Sequence, residues 1–293
     1  MANYKDYLLL HVIIFLLGFT GIIGKLLHQD ALVIVWYRLL IASFGLFVFL
    51  WYTKGFLRIH WRNLLAVIGI GLVVALHWIT FYYAIQISTA SLGILCLSTT
   101  TVHVVWLEPL ILGSPFRSKK MVLSLLVVIG VTLIASDLHG QILKALFIGL
   151  LSALLAGVFS VSNGKLAQTI AAPVLSFVEL LTGLIGISIF FLATAFPLHN
   201  FSISWSDGLW LLFLGLVCTS FAFLMAINLV KKLGAYTVSL TINLEPVYTI
   251  ILAAIILKEY KVLTPQFYVS AAMIIGVLLL NQKLNDSPNS KIT

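Results

Sequence analysis

Apolar residues run almost unbroken along this chain, and its polar residues gather in short gaps. Ten runs have the length of a membrane-crossing helix: roughly 7–27, 31–52, 63–86, 88–113, 121–137, 144–166, 173–196, 207–229, 235–257 and 264–281. About 20 apolar residues, rising 1.5 Å each, cover the hydrocarbon of a bilayer. The gaps carry turn-forming and basic residues, as in "GSPFRSKK" at 113–120, and leave no room for a large soluble domain. The opening "MANYKDYLLLHVIIFLLG" has the look of a signal peptide. It lacks a small-residue cleavage site and leads into equally apolar chain, so it is read as a retained first span. Residues 283–293 are expected to form a disordered cytoplasmic tail.

Composition turns this pattern into a class. Hydrophobic residues make up 61% of the 293 and charged residues 9%, with a mean hydropathy of +1.14. A soluble domain carries about 25% charged residues, so there are too few polar groups here to cover a water-facing surface. The chain reads as an all-α polytopic membrane protein. The net charge of +8 does not point to nucleic acid, because the basic residues lie in the gaps between apolar runs. Their distribution sets orientation instead. With the N-terminus in the cytoplasm, twelve Lys and Arg fall in inner segments and four (Lys25, Lys144, Lys258, Lys261) in outer ones. Both termini are therefore expected inside, in a plasma membrane or bacterial inner membrane. Cys96 and Cys218 lie in apolar runs and read as small buried hydrophobes.

The two halves resemble each other. "VVIGVTLIAS" at 127–136 matches "MIIGVLLLNQ" at 273–282, "GKLL" at 24–27 matches "GKLA" at 164–167, and "IGIGLVV" at 68–74 matches "LFLGLVC" at 212–218. The matches keep their order along the chain. Five spans per repeat is an odd number, so the second repeat enters the membrane from the opposite side, as in many secondary transporters. The expected units are 1–138 and 139–282.

The stretches "ISTASLGILCLSTTTVHVVWLEPLILG" at 87–113, "LGAYTVSLTINLEPVYTIILAAIILKEYKVLTPQFYVSAAMIIGVLLLN" at 233–281 and "WYRLLIA" at 36–42 resemble the EamA type of the drug/metabolite transporter superfamily. The resemblance covers nearly the whole chain. It implies ten helices in two inverted five-helix repeats around a central cavity, and export of small metabolites or amino acids. The first half departs from the pattern: Thr101 replaces the mid-span proline and Ser114 the terminal glutamate, which Glu259 keeps in the second half. A straighter fourth span is expected from Thr101.

Charges inside the spans carry the candidate chemistry. All five aspartates fall at span ends, loops or tails, whereas three of four glutamates, Glu108, Glu179 and Glu245, fall inside spans. An ionised side chain at the bilayer centre costs at least about 2.5 kcal/mol, so such groups face a cavity or a partner. Glu245 lies near the midplane, as do His103, His77 and Trp78; Arg38 lies in the outer third of span two. By the repeat alignment Arg38 and Glu179 occupy equivalent slots. The expected substrate-binding set is Arg38, His77, Trp78, Tyr82, His103, Glu245 and Tyr248; Glu108, Pro109, Glu179 and Pro246 are candidates for gating or proton coupling. The plainer roles stand beside these. Arg38 and Glu179 can anchor helices, the histidines can be hydrogen-bonded core residues, and the aromatics can simply pack. Pro246 removes a backbone donor and is expected to break its helix at a point water, protein or ligand can satisfy.

The leading reading is a secondary transporter of small metabolites, working in the lipid bilayer as a monomer or homodimer. Intramembrane enzyme and membrane receptor or scaffold are the alternatives. The sequence carries no HExxH, GxSxG or complete phosphate loop, and no metal or cofactor is expected.

Overall fold

The computed structural model describes residues 4–56, 59–115, 122, 126–131, 133, 140–233, 238, 241–242 and 244–285. Its described elements are helical. They are α1 (Tyr4–Leu26), α2 (Ala31–Tyr52), α3 (Trp61–Gln86), α4 (Ala90–Ser98), α5 (Thr100–Leu112), α6 (Gly140–Leu166), α7 (Ala172–Ala193), α8 (Trp205–Leu212), a π-helical segment Phe213–Phe221, α9 (Ala222–Leu233), α10 (Glu245–Ile256) and α11 (Pro265–Asn285). Single 3₁₀ turns lie at Leu198–Phe201 and Glu259–Lys261. Seven stretches among the described residues are long and apolar enough to cross a membrane, with α4–α5 and α8–α9 each counted as one. The expected fifth span and the start of the ninth lie mostly outside the described residues. So does the tail beyond Asn285, and residues 283–285, assigned to that tail from sequence, continue α11.

Span four is not straight. It breaks at Thr99, between α4 and α5. Three successive hydroxyls turn back on the preceding turn: Thr99 donates to Cys96 O at 2.6 Å, Thr100 to Leu97 O at 2.6 Å and Thr101 to Ser98 O at 3.3 Å. Hydroxyls bonded this way compete with the helix ladder and bend it. This bend corrects the straight span expected from Thr101.

The core forms where α3 packs on α6 and α7, α2 on α7 and the π segment, and α1 on α9 and α10. Two glycines permit close approaches between helices of the two halves. A Cβ on Gly71 would lie 2.6 Å from the backbone oxygen of Glu179, and one on Gly215 would lie 2.7 Å from Ile41 Cβ. Residues 126–131 are helical and lie against α11, where Val127 shares a buried cluster with Ile274 and Val277.

One end of the bundle is tied by long-range polar contacts. The Glu259 carboxylate, 5% exposed, accepts from Ala90 N at 2.7 Å, Ser91 N at 3.0 Å and the Ser91 hydroxyl at 2.6 Å. It caps α4 from a position 169 residues away. Lys25 donates to the carbonyls of Ile85, Gln86 and Ser88, closing the end of α3. His28 meets the buried Asp207, and Gln29 donates to Ser202 O.

Candidate functional site

Arg38 is the charge at the centre of the bundle. It lies about a third of the way along α2 and is 5% exposed. Its partners come from two other elements. Trp78 and Tyr82, one helical turn apart on α3, meet it together. The Trp78 ring lies 3.8 Å from the guanidinium carbon, and Tyr82 Oη accepts from Nη1 at 3.0 Å. Thr219 Oγ1 accepts from Nε at 3.0 Å. Thr219 belongs to the π segment, and its own hydroxyl donates to Leu214 O five residues back. Such wider turns commonly sit at functional sites. Here the turn brings Thr219 to the Arg38 side chain.

These contacts fix the guanidinium without neutralising it. Two of its five N–H donors are used, and no carboxylate lies within ion-pair distance among the described residues. Arg38's charge is, however, the one that acts on Glu245. Glu245 begins α10, half-buried, and its carboxylate has no hydrogen-bond or ion-pair partner among the described residues. Arg38 and Glu245 thus lie near enough for the guanidinium charge to reach the carboxyl group, with no hydrogen bond or ion pair between them among the described residues.

Pro246 lies in the first turn of α10. Its missing N–H costs nothing there, because the first N–H groups of a helix have no partner within it. Pro246 therefore starts a helix, and the chain is interrupted immediately before Glu245.

The other candidates separate from this centre. Trp78 and Tyr82 are buried, 6% and 0% exposed, and hold Arg38 instead of forming an open wall. His77 is a satisfied core histidine: Nδ1 lies 2.9 Å from both the carbonyl and the hydroxyl of Ser152, and its ring packs on Phe81 and Phe159. His103 packs against Trp106 and lines an apolar recess of about 180 Å³ with Thr99, Val102, Val127 and Leu150, apart from Arg38. Tyr248 turns towards α1, where its hydroxyl meets His11 Nδ1 at 2.9 Å. Glu108 is half-buried near the end of α5, and the Pro109 carbonyl accepts from Gly113 N to close that helix. Glu179 is 4% exposed on α7; its Oε2 accepts from Asn163 Nδ2 at 3.2 Å. Thr219, Ser152 and Asn163 are partners that sequence reasoning did not single out.

A family model described as the EamA-like transporter family matches residues 5–136 and 143–282. The chain belongs to the EamA-like transporter family. That places it in the drug/metabolite transporter superfamily, among multi-pass integral membrane transporters. No curated protein matches the chain. A solved structure titled "Crystal structure of protein" is similar to it, with a TM-score of 0.67 and 15% identity, over 97% of this chain and 99% of the other. At that identity the likeness is one of fold. For this EamA-like chain the likeness spans both halves.

Proposed function

We propose that this EamA-like protein is a secondary transporter that exports small zwitterionic metabolites, amino acids or close derivatives, by alternating access. One observation carries the reading: Arg38 is buried and held in place with no counter-anion among the described residues, and Glu245, without a partner among them, lies within reach of its charge. A fixed guanidinium takes a carboxylate by paired hydrogen bonds, and Glu245 takes an ammonium. A small molecule carrying both groups satisfies both residues at once. Ions left uncompensated in the membrane interior are costly, and a substrate that neutralises them fits a transport site.

Two inverted five-helix repeats supply the motion in this reading. Packing supports a two-fold relation between the halves. Exchanging each span with its counterpart turns the contacts of α3 with α6 and α7 into those of the π segment and α9 with α1 and α2. Gly71 against α7 likewise becomes Gly215 against α2. Similar halves of opposite orientation give inward- and outward-open states of similar energy. Glu108, Pro109 and Pro246 belong to the gates, and His77, Trp78, Tyr82, His103 and Tyr248 to the walls that move or hold the site. Both termini lie in the cytoplasm, and the membrane is the bacterial inner membrane.

Purified protein reconstituted in liposomes and loaded with a mixture of unlabelled L-amino acids tests this. Exchange of labelled amino acids well above that of empty liposomes is expected. Exchange at the empty-liposome rate for the whole mixture would overturn the reading.

A further inference from the structure

A second buried carboxyl group stands apart from Arg38 and Glu245. Glu179 and Asn163 meet where α7 crosses α6, and the single donor between them is Asn163 Nδ2, bonded to Glu179 Oε2 at 3.2 Å. Glu179 Oε1 and Asn163 Oδ1 are both sealed from solvent and both without a hydrogen-bond partner. Two acceptors of one bonded pair are thus buried with no donor for either among the described residues. Reversing the amide would not help, since it still offers only one donor face. Burying unsatisfied polar atoms is unfavourable, and such atoms ordinarily find partners.

Among the described residues no cation supplies the missing partner. The helices packed on Glu179 are α2, α3, α9 and, through Asn163, α6. Their described charged and titratable groups are engaged elsewhere. Arg38 is held by Thr219 and Tyr82, Tyr37 donates to Phe201 O, and His77 is bonded to Ser152. Arg62 lies over Trp61, Lys144 reaches Tyr83, Lys232 pairs with Asp6, and Tyr52 and Lys165 are exposed. One proton satisfies what the pair lacks: bound to Oε1, it makes Glu179 a neutral acid whose O–H can donate to Asn163 Oδ1.

The helix that carries Glu179 packs against α3 of the other half. Gly71 of α3 approaches the Glu179 backbone so closely that a Cβ would lie 3.0 Å from its Cα. In the alternating access proposed above, a movement of one half against the other would loosen that contact and open a way for water to the carboxyl.

We propose that Glu179 and Asn163 form a proton-binding site, occupied while α3 covers it and emptied when the halves move apart, so that substrate movement is coupled to a proton. The coupling clause rests on the transport reading above; the proton site itself does not.

Infrared difference spectroscopy of the full-length protein in liposomes tests the site without any substrate. At neutral pH the wild type should show the C=O stretch of a protonated carboxyl group that Glu179→Gln removes and Glu245→Gln keeps. Asn163→Leu, which leaves the acid but removes its partner, should shift that band to higher frequency. A wild-type spectrum without the band, or a band unchanged in Glu179→Gln, would overturn the site. Loss of the band on adding sodium at fixed pH would overturn it in favour of a metal-cation site. In the same liposomes an imposed proton gradient should speed wild-type uptake of labelled amino acids several-fold, and Glu179→Gln should lose that acceleration while keeping exchange. Acceleration retained in Glu179→Gln would overturn the coupling. Absence of uptake in every variant would instead count against the transport reading, leaving the infrared result to decide the proton site.

Discussion

At the scale of single residues, the centre of this molecule is a charge that three neutral groups orient and none neutralises. Trp78 covers one face of the Arg38 guanidinium, and Tyr82 and Thr219 take two of its donors. Lysine in its place would keep the charge and lose the planar fork. Hydrogen bonds to charged groups are worth roughly 1.5–3 kcal/mol each. Arg38→Lys should therefore weaken substrate binding by about 10-fold or more, given about 1.4 kcal/mol per tenfold. Binding measured by calorimetry on the purified protein checks this; unchanged affinity would place Arg38 in the scaffold. Arg38 and Glu245 could be found from sequence because ionisable residues are rare in apolar runs. Thr219, Ser152 and Asn163 could not. They are neutral, common in membrane helices, and meet partners 181, 75 and 16 residues away through the fold alone.

Among the elements, two interruptions matter most. The first repeat breaks at Thr99 through threonine hydroxyls, and the second breaks before Glu245, with Pro246 in the first turn that follows. The proline marks the interrupted region in the sequence, but as the start of a helix and not as a break within one. The threonines were misread, because a hydroxyl bends a helix only when its rotamer turns it onto the preceding carbonyl, and composition does not reveal that choice. Pro246→Ala restores a donor and removes the fixed φ, so it favours extending α10 backwards past Glu245. Transport should slow more than substrate binding weakens; abolished binding with unchanged turnover of bound substrate would contradict that. Glu259 makes a different prediction. It caps α4 with three hydrogen bonds while almost wholly buried. Glu259→Ala leaves two buried backbone donors unpaired, at roughly 1–3 kcal/mol each. The thermal midpoint in detergent should fall by several degrees, and an unchanged midpoint would show that water replaces the cap.

The whole molecule is an EamA-like transporter whose spans follow the apolar runs closely where the structure describes them; α2 occupies the 31–52 predicted from sequence. Orientation rests on charge bias. Cysteines placed at Gln168 and His199, both exposed, in a background with Cys96 and Cys218 replaced should label from opposite sides of the membrane with an impermeant thiol reagent. Labelling of both from outside intact cells would overturn the arrangement. The central claim is that Arg38 and Glu245 are the two poles of one substrate site. Competition between a transported amino acid and two analogues, one lacking the carboxylate and one lacking the ammonium, tests it most directly when measured for wild type, Arg38→Ala and Glu245→Gln. The account predicts matched losses: Arg38→Ala stops discriminating against the analogue without a carboxylate, and Glu245→Gln stops discriminating against the analogue without an ammonium. Discrimination that persists at wild-type levels in both variants would contradict it.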